Sequence, residues 1–376
     1  MRIGIEAQRI FRKNKHGMDY VVLQEIKELQ RMDKDNEYFI YVKPGEDRCL
    51  ESSSNVHVVE VSCPSYPLWE QLALPRAARR DRIDFLHCTS NTAPIWCGGI
   101  PLVLTLHDII FLEPRDKHNT SVYQNLGRLY RRMVVPRILD KCRRVITVSD
   151  FELNNILRKL KLPRHKMAMI YNGYNEWFRP MENASGVYRK YIDEPGYFLF
   201  FGNTDPKKNT ERTLIGYARY VLKSETKHKL LVADFNPKAI DSILKNNGLE
   251  AAREYIVSAG YIPNSDLPAV YNGAFALLYT SLRESFGIPV LEAMASGTLL
   301  IASETSSIPE ITGGYFALVN PENPDDIAAM MSRLESDEEL QKRLIAQGFE
   351  RVKLFSWKKT ACELLTLYEE LFKELG

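Results

Sequence analysis

The sequence predicts an α/β protein made of two doubly wound domains in tandem. Three observations carry that reading. The chain has 376 residues, more than a single ordinary hydrophobic core accommodates. Short apolar runs alternate with longer stretches whose apolar residues recur every three or four positions, the pattern of a parallel sheet covered by helices. The alternation stops once, over the polar stretch FRPMENASGVYRKYIDEPG (178–196), and then resumes.

In order along the first half, the strand candidates are RIGIE, EYFIYV, VHVVEV, DFLHC, PLVLTL, RVITVS and MAMIY. Between them lie helical stripes such as Val21, Val22, Ile26, Leu29 and Leu126, Leu129, Tyr130, Met133. The 178–196 stretch, with its Pro, Gly and Asn, reads as a linker. The second series is YFLFFG, KLLVA, YIVSAG, FALLYT, TLLIAS and YFALVN, again separated by helical patterns. The last fifty or so residues carry apolar stripes without a strand signal. The expected division is therefore a first domain over 1–180, a second over 195–355, and a C-terminal helix over 356–376 whose apolar face must cover something.

Composition narrows the function classes. Apolar residues make up 45% and charged residues 26%, a globular balance. Runs such as PLVLTL are far shorter than the ~20 residues needed to span a bilayer. The opening MRIGIEAQRI enters a strand pattern directly and has no signal-peptide core. Cys49, Cys63, Cys88, Cys97, Cys142 and Cys362 form no C-x-x-C pair and no zinc-finger spacing. A reduced, cytoplasmic protein is expected.

The net charge of +2 is unevenly spread: residues 1–180 carry +8 and residues 181–376 carry −6. Arginines cluster at 76, 79, 80 and 82, and again at 128, 131, 132, 137, 143 and 144. Such a face suits anionic lipid headgroups at the inner side of a membrane, or a phosphate-bearing acceptor. A solvated helix face is the plain alternative. No nucleic-acid partner is expected.

The segment ESFGIPVLEAMASG (284–297) holds two acids in an otherwise apolar setting. Pro289 suits the first position of a helix and Gly297 the position just past its last turn, which predicts a helix over 289–296. The free amides and positive dipole end of its first turn suit a phosphate. Glu292, one turn in, could accept hydrogen bonds from vicinal hydroxyls, and Glu284 precedes the turn beside Phe286 and Gly287. For either acid alone, a dipole partner or a solvated loop acid is the simpler reading. The Lys-Lys-Asn at 207–209 falls after a strand and before a helix, where a pyrophosphate clamp belongs.

The whole run, Glu, then Phe-Gly-x-Pro, then Leu-Glu-Ala-Met-Ala-x-Gly, resembles the signature of the family-four retaining glycosyltransferases. The resemblance extends over nearly the entire chain. It implies the GT-B fold, two Rossmann-like domains facing across a cleft, with the C-terminal helix returning to the first. It also implies that Glu284 faces the donor sugar, that Glu292 binds the ribose hydroxyls, and that Phe286, Gly287 and Ile288 form the turn whose amides meet the sugar. Through FFGNTDPKKNTERTLIGYARY (200–220) it assigns the donor diphosphate to Lys208. Through YIVSAGYIPNSDLPAVYNGAFALLYTS (255–281) it places Tyr261 and Ile262 at the base. Many members carry an arginine six residues before the lysine, where this chain has Gly202.

In the first domain, His107 in TLHDIIFLEP lies at the end of a strand, where a histidine can donate or accept a proton near neutral pH. The resemblance puts it beside the transferred sugar and leaves Asp108 as a turn or cap residue. Gly17 would let backbone approach the donor phosphates or the acceptor. Members often show Gly-x-Gly there, where this chain has Gly17-Met18-Asp19. Ser149 reads as a helix N-cap with Glu152 in capping-box spacing, and Asn172-Gly173 as a turn.

The implied reaction is retaining transfer of a hexose, mannosyl-type favoured by the G-x-T-x-P-x-K-N-like loop, from a nucleotide diphosphate sugar to a glycan or lipid-linked hydroxyl during surface polysaccharide assembly. Catalysis rests on Glu284, His107 and Lys208. No cofactor is expected, and no metal, since an Asp-x-Asp motif is lacking. Rival readings are a GT-B-fold epimerase acting on free sugar nucleotide, a silent scaffold, and a nucleotide-cofactor oxidoreductase. RIGIEAQRIF lacks the G-x-G-x-x-G that the last would need.

Overall fold

The computed structural model describes the chain except residues 14, 16, 114–121 and 315; of 122–124 only the backbone is described. Two compact units result. One comprises Met1–Gly173 together with Ser356–Gly376, and the other Tyr174–Phe355. Each is an all-parallel sheet, as continuous runs of Val, Ile, Leu and Phe buried on both faces require.

The first unit holds β1 (Arg2–Glu6), β2 (Glu37–Val42), β3 (Val56–Glu60), β4 (Phe85–Cys88), β5 (Leu102–Thr105), β6 (Cys142–Thr147) and β7 (Met167–Met169), in spatial order β3-β2-β1-β4-β5-β6-β7. Ile3 and Ile5 of β1 register with Tyr38 and Ile40 on one side and with Phe85 and His87 on the other. The chain builds outward from β1 to β3, then returns to β1's other side with β4. That reversal is the topological switch of the unit, marked at its carboxyl ends by Glu6 and Cys88.

The last helix, Trp357–Leu375, belongs to this unit. Its stripe of Leu364, Leu367, Tyr368 and Leu371 is buried in one cluster with Ile3, Ile5, Leu23 and Ile26. The Tyr368 hydroxyl lies 2.6 Å from Nδ1 of the buried His87, whose Nε2 is 2.7 Å from Thr105 Oγ1. Burial drives the His87 pKa down to about 3, so the ring is neutral. Gly173 makes the crossing possible, because a Cβ there would fall 2.2 Å from the Trp357 backbone nitrogen.

The second unit holds β8 (Tyr197–Phe201), β9 (Leu230–Ala233), β10 (Ile256–Gly260), β11 (Ala274–Tyr279), β12 (Leu299–Ser303) and β13 (Ala317–Val319), in order β10-β9-β8-β11-β12-β13. Its switch point lies between β8 and β11. The polar 178–196 stretch is part of this unit rather than a free linker. Phe178, Tyr188 and Ile192 are buried, with Phe178 edge-on to Tyr271 and Tyr188 to Tyr197. Three apolar anchors spaced through polar residues leave too weak a periodicity to be read from sequence.

Candidate active site

The switch point of the second unit brings together residues from three loops. After β8, Asp205 accepts from the Lys207 amide at 3.1 Å and opens the short turn Pro206–Lys208. Asn209 then takes a left-handed conformation, φ +58°, which asparagine tolerates better than most residues. Its buried amide donates to the carbonyls of Thr280, at 3.0 Å, and Pro321, at 2.6 Å. The Leu282 amide donates to the Lys207 carbonyl at 2.7 Å. These bonds stitch the loop after β8 to the loop after β11. As a result Lys208 Nζ lies 2.6 Å from Glu284 Oε1.

The loop after β12 fixes the backbone of that acid. Ser306, at φ +58°, accepts the Glu284 amide at 3.1 Å. The Ser307 hydroxyl donates to the carbonyls of Glu284, at 3.1 Å, and Phe286, at 3.0 Å. Tyr279 closes the β11 strand with its ring centroid 5.6 Å from Lys208 Nζ, a cation–π contact. Burial and the neighbouring Glu284 carboxylate, which its hydroxyl meets, hold that phenol well above its ordinary pKa.

Gly287 follows at φ +110°, with the Ile308 methyl only 3.0 Å from where a Cβ would stand. The helix it opens spans Ile288–Ser296 and ends at Gly297, φ +73°. The helix thus begins one residue earlier than the sequence suggests, and Pro289 takes its second position, because the free rotation of Gly287 already turns the chain. Glu292 is half-buried and accepts the Tyr271 hydroxyl at 3.1 Å. Burial raises its pKa to about 7, against a lowering by the tyrosine bond. Two acids eight positions apart in the chain are thus held in different electrostatic states, one paired with a cation and one largely desolvated.

Other expected positions divide. Tyr261 and Ile262 follow β10, the first 64% exposed and the second buried at 4%, so only the tyrosine ring is presented to ligand or solvent. The Phe286 side chain is buried and edge-on to Phe355, which leaves its backbone as the part facing the turn. Ile288 is half-buried at the helix start. Gly202, where an arginine is common, has a steric cause: a Cβ there would come within 2.3 Å of Phe235 Cβ.

In the first unit, His107 is buried at 6% exposure. Its Nε2 lies 3.0 Å from the Thr89 carbonyl and its amide donates to Asn91 at 2.6 Å. A carbonyl only accepts, so Nε2 carries the proton and Nδ1 the lone pair in the neutral ring. Burial lowers its pKa, partly offset by that carbonyl and by Asp108. Asp108 itself accepts the Ile110 amide, a turn contact. Ser149 accepts the Glu152 amide at 3.2 Å, as its N-cap position requires. Gly17 is the first residue of the helix Gly17–Met32, and a Cβ on it would meet nothing within 4 Å. Among the described residues nothing therefore demands glycine there. Asp19 does not project bare charge: it is buried, 3.7 Å from Arg12.

Sequence reasoning overlooked Tyr271, Tyr279, Ser306 and Ser307, and it took Asn209 as part of a clamp without its role in joining the loops. The only signal for them was chemical type, an asparagine able to adopt positive φ and hydroxyls near strand ends. Among the described residues no three His, Cys, Asp or Glu side chains group as a metal ion would require.

Two parallel α/β units, the second with a lysine and a glutamate meeting at its switch point, define the GT-B class. Sucrose-phosphate synthase from Thermosynechococcus elongatus shares the fold, with a TM-score of 0.76 at 21% identity over 99% of each chain. Residues 16–177 match the family described as Glycosyltransferase Family 4, and residues 189–351 match Glycosyl transferases group 1. The chain belongs to this glycosyltransferase family. Among its relatives, the O-antigen chain mannosyltransferase B of Escherichia coli is 27% identical, over 72% of this chain and 70% of that protein. The serotype-specific mannosyltransferase WbdA of the same species is 25% identical over 73% of this chain, which spans only 34% of WbdA.

Proposed function

We propose that this glycosyltransferase transfers a hexose, with mannose the favoured sugar, from a nucleotide diphosphate sugar to a hydroxyl of a glycan or lipid-linked acceptor, with retained anomeric configuration, in surface polysaccharide assembly. The observation that carries the proposal is the 2.6 Å Lys208–Glu284 pair at the switch point, followed by Glu292 in the helix Ile288–Ser296. The mannosyltransferase relatives support the choice of sugar and pathway.

In this mechanism Lys208 turns from Glu284 to the donor diphosphate, and the amides at the helix start share the negative charge that builds as the bond from C1 to the leaving oxygen breaks. The new C1–oxygen bond forms on the same face, and the acceptor proton passes to the departing diphosphate. Glu284, freed from its lysine, positions the sugar and favours positive charge at C1. Glu292 accepts the two ribose hydroxyls. His107, neutral, offers Nδ1 as an acceptor toward a sugar hydroxyl. No metal takes part, because lysine and helix meet the diphosphate charge.

The test is a melting-temperature panel of UDP, GDP, ADP and their sugars, followed by transfer assays with NMR of the product anomer. Glu292→Ala should blunt the nucleotide shift. Glu284→Ala should keep the shift and abolish transfer. If both variants behave like wild type, or the product anomer is inverted, the assignment is wrong.

A further inference from the structure

Ser306 and Ser307, in the loop after β12, each depart from what a serine ordinarily does. Ser306 stands at φ +58°, in the left-handed region that strains any residue with a Cβ and that glycine enters freely. Its hydroxyl accepts the Glu284 amide at 3.1 Å and donates to the Thr305 carbonyl at 2.7 Å. Ser307 is the N-cap of the helix Ile308–Thr312, where a serine oxygen usually accepts an amide of the first turn. It makes no such bond. Ser307 is fully buried, and its hydroxyl donates instead to the carbonyls of Glu284 and Phe286, at 3.1 and 3.0 Å.

These bonds grip one short stretch of chain. Thr305 extends the grip to the Leu282 carbonyl, 3.3 Å from its Oγ1, and is itself held 2.7 Å from Ser303 Oγ. The Glu284 carbonyl has a second donor in the Arg283 guanidinium at 2.9 Å. The Glu284 amide, among the described residues, has only Ser306. That amide fixes the direction in which the Glu284 side chain leaves the backbone. Left-handed strain in a residue other than glycine persists where the surroundings over-determine it, and such residues gather at functional sites.

We infer that Ser306 is a positioning residue of the transfer reaction: its hydroxyl, held despite the backbone strain, aims Glu284 at the donor sugar once Lys208 has moved to the diphosphate. This rests on the proposed reaction, in which the 2.6 Å bond from Lys208 to Glu284 is given up when the donor binds. The carboxylate then loses its cation, and its aim depends on its own backbone. Misplacing a reacting group by about 1 Å can lower a rate about 100-fold. Loss of the Ser306 hydroxyl should therefore appear in kcat and not in affinity for the nucleotide.

Ser306→Gly and Ser306→Ala, made in the full chain, test this together. Both remove the hydroxyl, but only glycine relieves the left-handed strain, so the glycine variant should melt higher than the alanine variant. The assay is release of free sugar into water, which needs no acceptor, from whichever of UDP-glucose, GDP-mannose and ADP-glucose raises the melting temperature most. Both variants should lose tenfold or more in kcat, by similar factors, with donor KM changed less than threefold and with the free nucleoside diphosphate bound as in wild type. A merely structural serine would make the loss follow stability. The inference is overturned if either variant keeps kcat within twofold of wild type, if only the less stable alanine variant loses activity, or if nucleotide binding falls along with kcat. Failure of the donor reading registers separately, as a wild-type melting temperature that none of the three sugar nucleotides raises, and the inference falls with it.

Discussion

Glu292 should make donor binding depend on pH across the neutral range. Its carboxyl is half-buried in the helix Ile288–Ser296, and burial raises its pKa to about 7. The ionised form accepts a hydrogen bond on each oxygen from the two hydroxyls of a ribose, whereas the protonated form turns one oxygen into a donor and weakens that pair. At pH 6 about one tenth of the groups are ionised, and at pH 8 about nine tenths. If only that form binds, affinity should rise close to tenfold between these limits, about 1.4 kcal/mol. A sugar nucleotide is the right ligand, because both its phosphates are esterified and keep their charge over this range. Calorimetric Kd values at pH 6, 7 and 8, for wild type and Glu292→Gln, form the assay. A wild-type change below about twofold, or an equal slope in Glu292→Gln, would refute the reasoning. The same group also affects folding. Its pKa is higher folded than unfolded, so the native state binds the extra proton, and its contribution to stability falls as pH rises from the ordinary carboxyl range to about 7, then levels off. Glu292→Gln should therefore gain stability relative to wild type at pH 8 and little at pH 4.

Other consequences follow from the loops. Lys208→Ala should lower kcat about 100-fold, at least ~2.7 kcal/mol of transition-state stabilisation, if the lysine acts as one preorganised donor; steady-state kinetics with excess donor would reveal it. Asn209→Ala removes the donors to two carbonyls and places a Cβ-branching-free but still L-chiral residue at φ +58°, so urea unfolding should show a loss of about 1–3 kcal/mol. Gly202→Ala drives a methyl into the Phe235 Cβ and should cost about 1–3 kcal/mol, a loss that urea unfolding would register and that Phe235→Ala, which keeps the Cβ, should not restore.

Short apolar runs set between 3.6-residue helical stripes identified the thirteen strands named above, because the central strands of a covered parallel sheet need unbroken apolar runs. The signature around Glu284 and Glu292 was equally legible, since Pro289 and the two flanking glycines serve local backbone geometry that any reader of the chain can infer. What local pattern could not supply was partnership. That Lys208 meets Glu284, seventy-six residues away, depends on Asn209 and Leu282 joining two loops across the switch point. That Gly202 cannot be larger depends on Phe235, from another loop. Sequence by itself determined the elements and the chemical types at their ends, because both follow from short-range sterics and burial. Tertiary structure alone decided which charges are paired, which are buried and which stay open to a ligand, because those are set by contacts between segments far apart in the chain.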